Sequence, residues 1–201
     1  MRWSWTARII LSFVLGAGIA LTAITPGGSV AQGDPSAKAQ VVAAFEKLNS
    51  VPSYRMKTSA PGGTTMIEIV RPDKRHYTAQ SPNGSFESIT VGTQTRERVN
   101  MPGQPTGWRC ITNRRSLETI FNLDRMRKYV TEVVRKPDMV IEGMPVHTYA
   151  AAFGSGATLY VAVQTGLPRR LVHVDQQSGK TATIDFYDYG APITIMLPSC
   201  G

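Results

Sequence analysis

The sequence contains little cysteine: Cys110 and Cys200 are the only two among 201 residues. Two cysteines are too few to build a disulfide-stapled miniprotein, and their spacing fits no zinc-binding motif. The chain also lacks internal repeats, low-complexity tracts and any second long apolar run, which excludes collagen-like, coiled-coil and multi-span membrane proteins. Aromatic residues at 8% exclude a wholly disordered chain. The length suits one domain with a sizeable core.

Catalytic motifs are also missing. His76, His147 and His173 lie in strand-like runs, and none is spaced from another histidine, cysteine or carboxylate as metal ligands are. Asp185 and Asp188 fall on opposite faces of one predicted strand, so they do not form a catalytic carboxylate pair. There is no nucleophile elbow, phosphate-binding glycine loop or zinc-protease motif. We therefore expect no enzymatic activity, no cofactor and no metal.

Residues 1–31 have the features of a secretory signal peptide. Arg2 and Arg8 precede or flank the start of an apolar run over residues 9–23, and no acidic residue appears before Asp34. About fifteen apolar residues are fewer than the ~20 of a spanning helix, which favours a cleaved signal over an uncleaved membrane anchor.

The end of this segment predicts the cleavage point. Ser29, Val30 and Ala31 place small residues where a signal peptidase reads, so cleavage after Ala31 leaves a single domain over residues 32–201. No cysteine lies near that point, so we expect no acylation. The protein is then periplasmic or secreted, where an oxidising environment favours a disulfide between its two cysteines over two free thiols.

The charge is strongly basic. Twenty-two Lys and Arg against fourteen Asp and Glu give a formal charge of +8, which suits nucleic acid, an anionic membrane or acidic envelope polymers. Aromatic residues are sparse among the basic residues of the middle third, and an exported protein seldom meets nucleic acid. We therefore expect an anionic envelope surface, and not nucleic acid, as a partner.

Periodicity divides the remaining chain into one helix and many strands. Apolar residues recur at helical spacing from Ala37 to Leu48, which predicts an amphipathic helix of about twelve to fourteen residues capped by Asp34 or Ser36. Alternation with a period of two then predicts about ten antiparallel strands. A helical pattern over residues 116–129 predicts one or two short helices between them. The predicted strand-like runs are residues 54–58, 66–70, 75–80, 86–91, 95–100, 146–153, 158–164, 170–175, 181–189 and 193–197.

Several predicted strands are apolar on both faces. Met66 and Val70 alternate with Ile67 and Ile69, for example, whereas an ordinary antiparallel sheet buries one face and wets the other. A curved sheet wrapped around helices would bury both and could enclose an apolar cavity. A fully packed core without a cavity is the alternative.

The predicted cavity residues come from the best alternating runs and from the helical segment. Their inward direction depends on strand register, because a shift of one residue exchanges the two faces. Flexible, polarizable methionines suit ligands of varied shape, and two arginines at the rim could meet an anionic head group. The predicted lining is Met56, Met66, Val70, Tyr160, Ile184 and Phe186, with Leu117 and Phe121 from the lid and Arg125 and Arg127 at the rim.

The order of elements resembles the LolA/LolB/LppX superfamily of exported lipoprotein and lipid carriers. The resemblance covers residues 37–198 as a pattern, and its most specific stretches are Glu142–Tyr149, Leu159–Ala162, Thr165–Arg170 and Asp188–Ile193. It implies an α+β fold, an unclosed β-barrel lidded by helices, whose concave apolar face holds acyl chains. The chain departs from LolB- and LppX-type members by lacking their acylation cysteine.

The resemblance and the residue patterns together predict an exported monomer that binds a lipid or acylated ligand. A non-catalytic envelope structural or interaction protein with a closed core is the alternative.

Overall fold

The computed structural model of the chain describes residues 34–103, 106–112, 130, 132–152, 156–174 and 178–200. Within these ranges one helix precedes eleven strands. The helix is α1 (Pro35–Ser50), and the strands are β1 (Ser53–Ala60), β2 (Gly63–Val70), β3 (Lys74–Ser81), β4 (Gly84–Val91), β5 (Gln94–Asn100), β6 (Arg109–Thr112), β7 (Val133–Ile141), β8 (Met144–Ala152), β9 (Gly156–Ala162), β10 (Pro168–Val174) and β11 (Thr181–Tyr187).

The helix begins and ends where local chemistry requires. The side chain of Asp34 accepts a hydrogen bond of 2.8 Å from the Ser36 amide, and Pro35 occupies the first turn, where a missing N–H costs nothing. The five apolar residues of the predicted stripe, Ala37, Val41, Ala44, Phe45 and Leu48, are all buried. The predicted helix is confirmed, and it extends slightly further at both ends.

Arg71 holds the C-terminal end of α1 against the sheet. Its Nε donates to the Val51 carbonyl at 3.1 Å, and its guanidinium also donates to Asn49 Oδ1 at 2.9 Å. Carbonyls at the end of a helix have no partner within the helix. A side chain from the loop after β2 therefore fixes where α1 stops and how it lies on the sheet.

All eleven strands form one antiparallel sheet. The order is β6-β5-β4-β3-β2-β1-β11-β10-β9-β8-β7, so the sheet is two successive meanders joined where β1 pairs with β11. Strands β6 and β7 are the two edges and do not pair with each other. The predicted α+β architecture, a curved and unclosed sheet carrying a helix on one side, is confirmed.

Three features of the strand prediction need correction. The four-residue strand β6 was not predicted. Strand β7 was not predicted, because Pro137 interrupts its alternation, and the register shifts there between Lys136 and Met139. The predicted final strand over residues 193–197 is not a strand, since residues 188–200 have no regular secondary structure. Its alternation is nevertheless real: Ile195 is buried while Thr194 and Met196 are exposed, without a neighbouring strand to bond.

The C-terminal tail connects the middle of the sheet to its edge. It leaves β11 and extends to Cys200, which forms a disulfide with Cys110 on β6, with the two Cα atoms 6.0 Å apart. Five strands, β1 to β5, lie between β11 and β6 in the sheet. The predicted disulfide is confirmed, and it fixes the tail across one half of the sheet.

The hydrophobic core lies between α1 and one face of the sheet, which we call the inner face. Opposed residues on neighbouring strands share a face, so the register assigns every strand residue to the inner or the outer face. The buried core consists of the five α1 residues together with Tyr54, Met56, Ile69, Val130, Val133, Tyr149, Ala151, Leu159, Val161, Leu167 and Phe186.

Candidate functional site

The inner face is divided into two unlike halves. The buried core draws its strand residues from β1, β2, β7, β8, β9 and β11, and none from β3 to β6. The apolar side chains on the inner face of those remaining strands are half-buried. Together with Ile67 we call them the inner strip: Ile67, Tyr77, Ala79, Phe86, Val99 and Ile111.

The strip is continuous from β2 to β5, whereas Ile111 on β6 lies apart from it, opposite Thr95. Ala79 on β3 lies opposite Phe86 on β4, and Phe86 lies opposite Val99 on β5. Tyr77 lies opposite Ile67, and its ring meets that of Phe86 edge-on, with centroids 5.7 Å apart. These side chains form one apolar surface that joins the buried core at Ile67, which packs against it.

Polar side chains occupy the same face beside the strip. The hydroxyls of Thr90 and Thr95, opposite one another on β4 and β5, are buried and 3.0 Å apart. Burial raises the pKa of the Tyr77 hydroxyl, an effect that its hydrogen bond with Thr65 and the charge of Arg75 only partly offset. The site therefore combines an apolar surface with a few polar groups, which is usual for small-molecule sites.

The predicted cavity residues divide between the two faces. Met56 and Phe186, opposite one another on β1 and β11, lie on the inner face and are 3% and 0% exposed. Ile184 shares that face and packs half-buried against the core. Leu117, Phe121, Arg125 and Arg127 lie outside the described residues.

Three of the predicted inward directions are wrong. Met66 and Val70 on β2 and Tyr160 on β9 lie on the outer face, where Met66 is 39% exposed. Met66 lies opposite Lys57, and Tyr160 lies opposite Arg170. Both faces of these strands carry apolar residues, so the sequence pattern alone does not decide which parity packs against the helix.

Sequence reasoning missed the inner strip for a related reason. Tyr77 and Ala79 alternate as a strand requires, but Arg75 precedes them on the same face. Phe86 shares its face with Ser88. The sequences of these strands therefore look polar. The one feature that could have indicated the inner strip was the pair of aromatic residues, Tyr77 and Phe86, on adjacent predicted strands.

The outer face carries a ladder of charges across β1 to β5. Arg55 pairs with Glu68 at 2.7 Å, and Glu68 contacts His76 at 3.0 Å. His76 also contacts Glu87 at 2.9 Å, and Glu87 pairs with Arg98 at 2.5 Å. In the described part of the chain, no three histidine, cysteine, aspartate or glutamate side chains are arranged to hold a metal ion. The ladder ties neighbouring strands together.

We expect this ladder to make stability sensitive to acid. Burial by itself raises the pKa of Glu68 and of Glu87. Hydrogen bonds from Arg55 and His76 to Glu68 outweigh this effect, so the pKa of Glu68 is lowered. Hydrogen bonds from Arg98 and His76 lower the pKa of Glu87 in the same way. Their contribution to stability is present above the pKa of an unfolded glutamate, about 4.3, and is lost as the pH falls through the lowered values.

Urea unfolding followed from neutral pH into this acidic range measures the effect. The wild type should lose stability more steeply than Glu87→Gln, which keeps the side-chain shape without the charge. Parallel pH profiles for the two proteins would show that the charge of Glu87 contributes nothing to the acid sensitivity.

Comparisons with known proteins agree with this geometry. No protein-family model matches the chain, and no curated protein matches its sequence. The fold, an antiparallel half-barrel carrying a helix on its inner face, is shared by solved structures that have low sequence identity to this chain. Within the described ranges, no helix has both the length and the apolar character that a membrane crossing requires.

Two solved structures illustrate the likeness. LprF from Mycobacterium bovis is similar with a TM-score of 0.58 and 13% identity, over 85% of this chain and 100% of that one. The Mycobacterium tuberculosis lipoprotein LppX is similar with a TM-score of 0.58 and 10% identity, over 82% of this chain and 100% of that one. Likeness at this identity shows a shared fold.

Proposed function

We propose that this protein is an exported, non-catalytic carrier that binds a lipid or another apolar ligand reversibly on the inner strip. The observation that carries the proposal is the contrast within one face of the sheet. The core that includes α1 contains fully buried side chains such as Leu159 and Phe186, whereas on β3 to β5 the whole apolar row of Ala79, Phe86 and Val99 is only half-buried. An apolar surface continuous with a core is where an acyl chain gains most by binding.

Burial of an acyl chain can supply the required affinity. Each buried methylene contributes about 0.8 kcal/mol, so ten of them supply about 8 kcal/mol before ordering costs are subtracted. Edge-on aromatic rings such as Tyr77 and Phe86 offer a large contact area with few rotatable bonds. Reversible binding of a long-chain lipid is therefore energetically reasonable on this strip.

A carboxylate placed on the strip should prevent binding. We expect Phe86→Asp to weaken binding of a fluorescent fatty-acid probe by at least about tenfold, because a charge cannot be buried beside an acyl chain without a partner. Ile89→Asp is the matched control, since Ile89 is also half-buried on β4 but lies on the outer face, opposite His76.

Fluorescence titration of the three proteins, with thermal unfolding of each measured in parallel, separates binding from folding. Equal losses in both variants would place binding elsewhere. A wild type that binds no probe would contradict the carrier function and favour a structural envelope protein with a closed core.

A further inference from the structure

Arg75 is a cation on the inner face of the sheet. It lies on β3 between Ile69 of β2 and Thr90 of β4, which are its opposed residues on the two sides. The side chain is half-buried, and its Nε is shielded from solvent without a hydrogen-bond acceptor. Among the described residues, no carboxylate lies within ion-pair distance of its guanidinium.

The other half-buried arginines of the described chain are paired. Arg55 and Arg170 each contact two carboxylates. Arg96 is the closest comparison, because its Nε is also buried without a partner, but its guanidinium donates to the Thr95 carbonyl and to Gln94 Oε1, both at 3.2 Å. Arg96 lies on the outer face. Arg75 therefore differs from Arg55, Arg96 and Arg170 in both its pairing and its position.

A guanidinium held in this way is costly without an anion. Burial lowers the pKa of Arg75, and the nearby Tyr77 and Glu97 oppose that effect only in part. Glu97 lies on the inner face of β5, two strands away, opposite Ser88 of β4 and Arg109 of β6. A carboxylate or phosphate from a ligand could accept two parallel hydrogen bonds from the planar guanidinium and remove the desolvation cost.

The neighbours of Arg75 on the inner face are apolar on one side and polar on the other. Tyr77 lies two residues further along the same strand on the same face, so the apolar inner strip begins directly beside the guanidinium. The buried hydroxyls of Thr90 and Thr95 lie on its other side. One end of the site is therefore polar and cationic, and the other end is apolar.

We infer that the ligand is an amphipathic acid, whose acyl part lies on the inner strip and whose carboxylate or phosphate binds Arg75. This inference rests on the proposed carrier function and specifies the chemical class of its ligand. Neutral lipids of the same chain length lack the group that would pair with the guanidinium, so they bind more weakly.

Two probes and two variants test the inference. The probes are a fatty acid with a fluorophore on its chain and the methyl ester of the same molecule. At neutral pH the wild type should bind the acid at least about tenfold more tightly than the ester, the discrimination expected of a charge-assisted hydrogen-bond pair. Arg75→Gln should abolish the preference, whereas Arg96→Gln, the control on the outer face, should keep it.

The ligand-free proteins give a second readout. Because Arg75 is desolvated without a partner, Arg75→Met should unfold at the same temperature as the wild type or at a higher one, and a fatty acid should raise the unfolding temperature of the wild type more than that of the variant. A probe with a phosphate in place of the carboxylate distinguishes the two anions.

The outcomes separate this inference from the proposed function. Equal binding of acid and ester by the wild type, or an acid preference that survives in Arg75→Gln, would overturn the inference and leave the carrier function standing. If neither probe binds, both fail together. A preference lost equally in Arg96→Gln would show a general effect of charge and would also overturn the assignment to Arg75.

Discussion

Replacing Phe186 by alanine should lower the free energy of unfolding by about 3–5 kcal/mol, the usual cost of removing a buried phenylalanine ring. Phe186 is 0% exposed and lies opposite Met56 beneath α1, within the core that includes Phe45 and Leu159. The rigid sheet around it prevents the cavity from collapsing, so most of the lost contact is not recovered.

Urea unfolding of Phe186→Ala and Phe86→Ala measures this directly. Phe86 is half-buried on the inner strip. Its substitution should therefore lower the free energy of unfolding less than Phe186→Ala does, and weaken probe binding more. The pair therefore tests the division of the inner face: one phenylalanine maintains the fold and the other contacts ligand. If Phe186→Ala kept wild-type stability while losing probe binding, the two roles would be reversed.

Removal of the disulfide should have an effect of similar size. The bond closes a loop with a sequence separation of 90, for which the chain-entropy model gives about 4 kcal/mol. Substituting both Cys110 and Cys200 by serine releases the tail from the edge strand β6. Because β6 has four residues and pairs only with β5, we expect this edge to open first.

Thermal unfolding of the double variant and of the wild type with reductant should show the same decrease in stability. Met196→Ser is the control, since Met196 is 75% exposed in the same tail. A double variant that unfolds at the wild-type temperature would show that the tail holds its position without the bond.

The local chemistry of the chain made much of the fold predictable. Asp34 and Pro35 mark the helix start, and the stripe from Ala37 to Leu48 defines its buried face. Alternation identified nine of the strands, and the presence of only two cysteines, together with the expected export, predicted their bond. Strand β7 escaped because Pro137 lies inside it, which an edge strand tolerates and an interior strand does not.

The site was harder to predict because a face is decided by packing and not by alternation. Met56 and Met66 are similar residues on adjacent strands, but one packs under α1 and the other lies opposite Lys57 on the outer face. Arg75 was missed because an arginine in a polar-looking strand reads as a surface residue. Its position on the inner face follows only from its register with Ile69.

The most direct test of the proposed carrier function is whether lipid copurifies with the protein. Protein purified without detergent, its N-terminus checked by intact mass, would be extracted with organic solvent and the extract analysed by mass spectrometry beside that of Phe86→Asp. We expect the wild type to yield an acidic lipid in near-stoichiometric amount and Phe86→Asp to yield almost none. A wild-type extract free of lipid, or the same lipid in equal amount from both proteins, would contradict ligand binding on the inner strip.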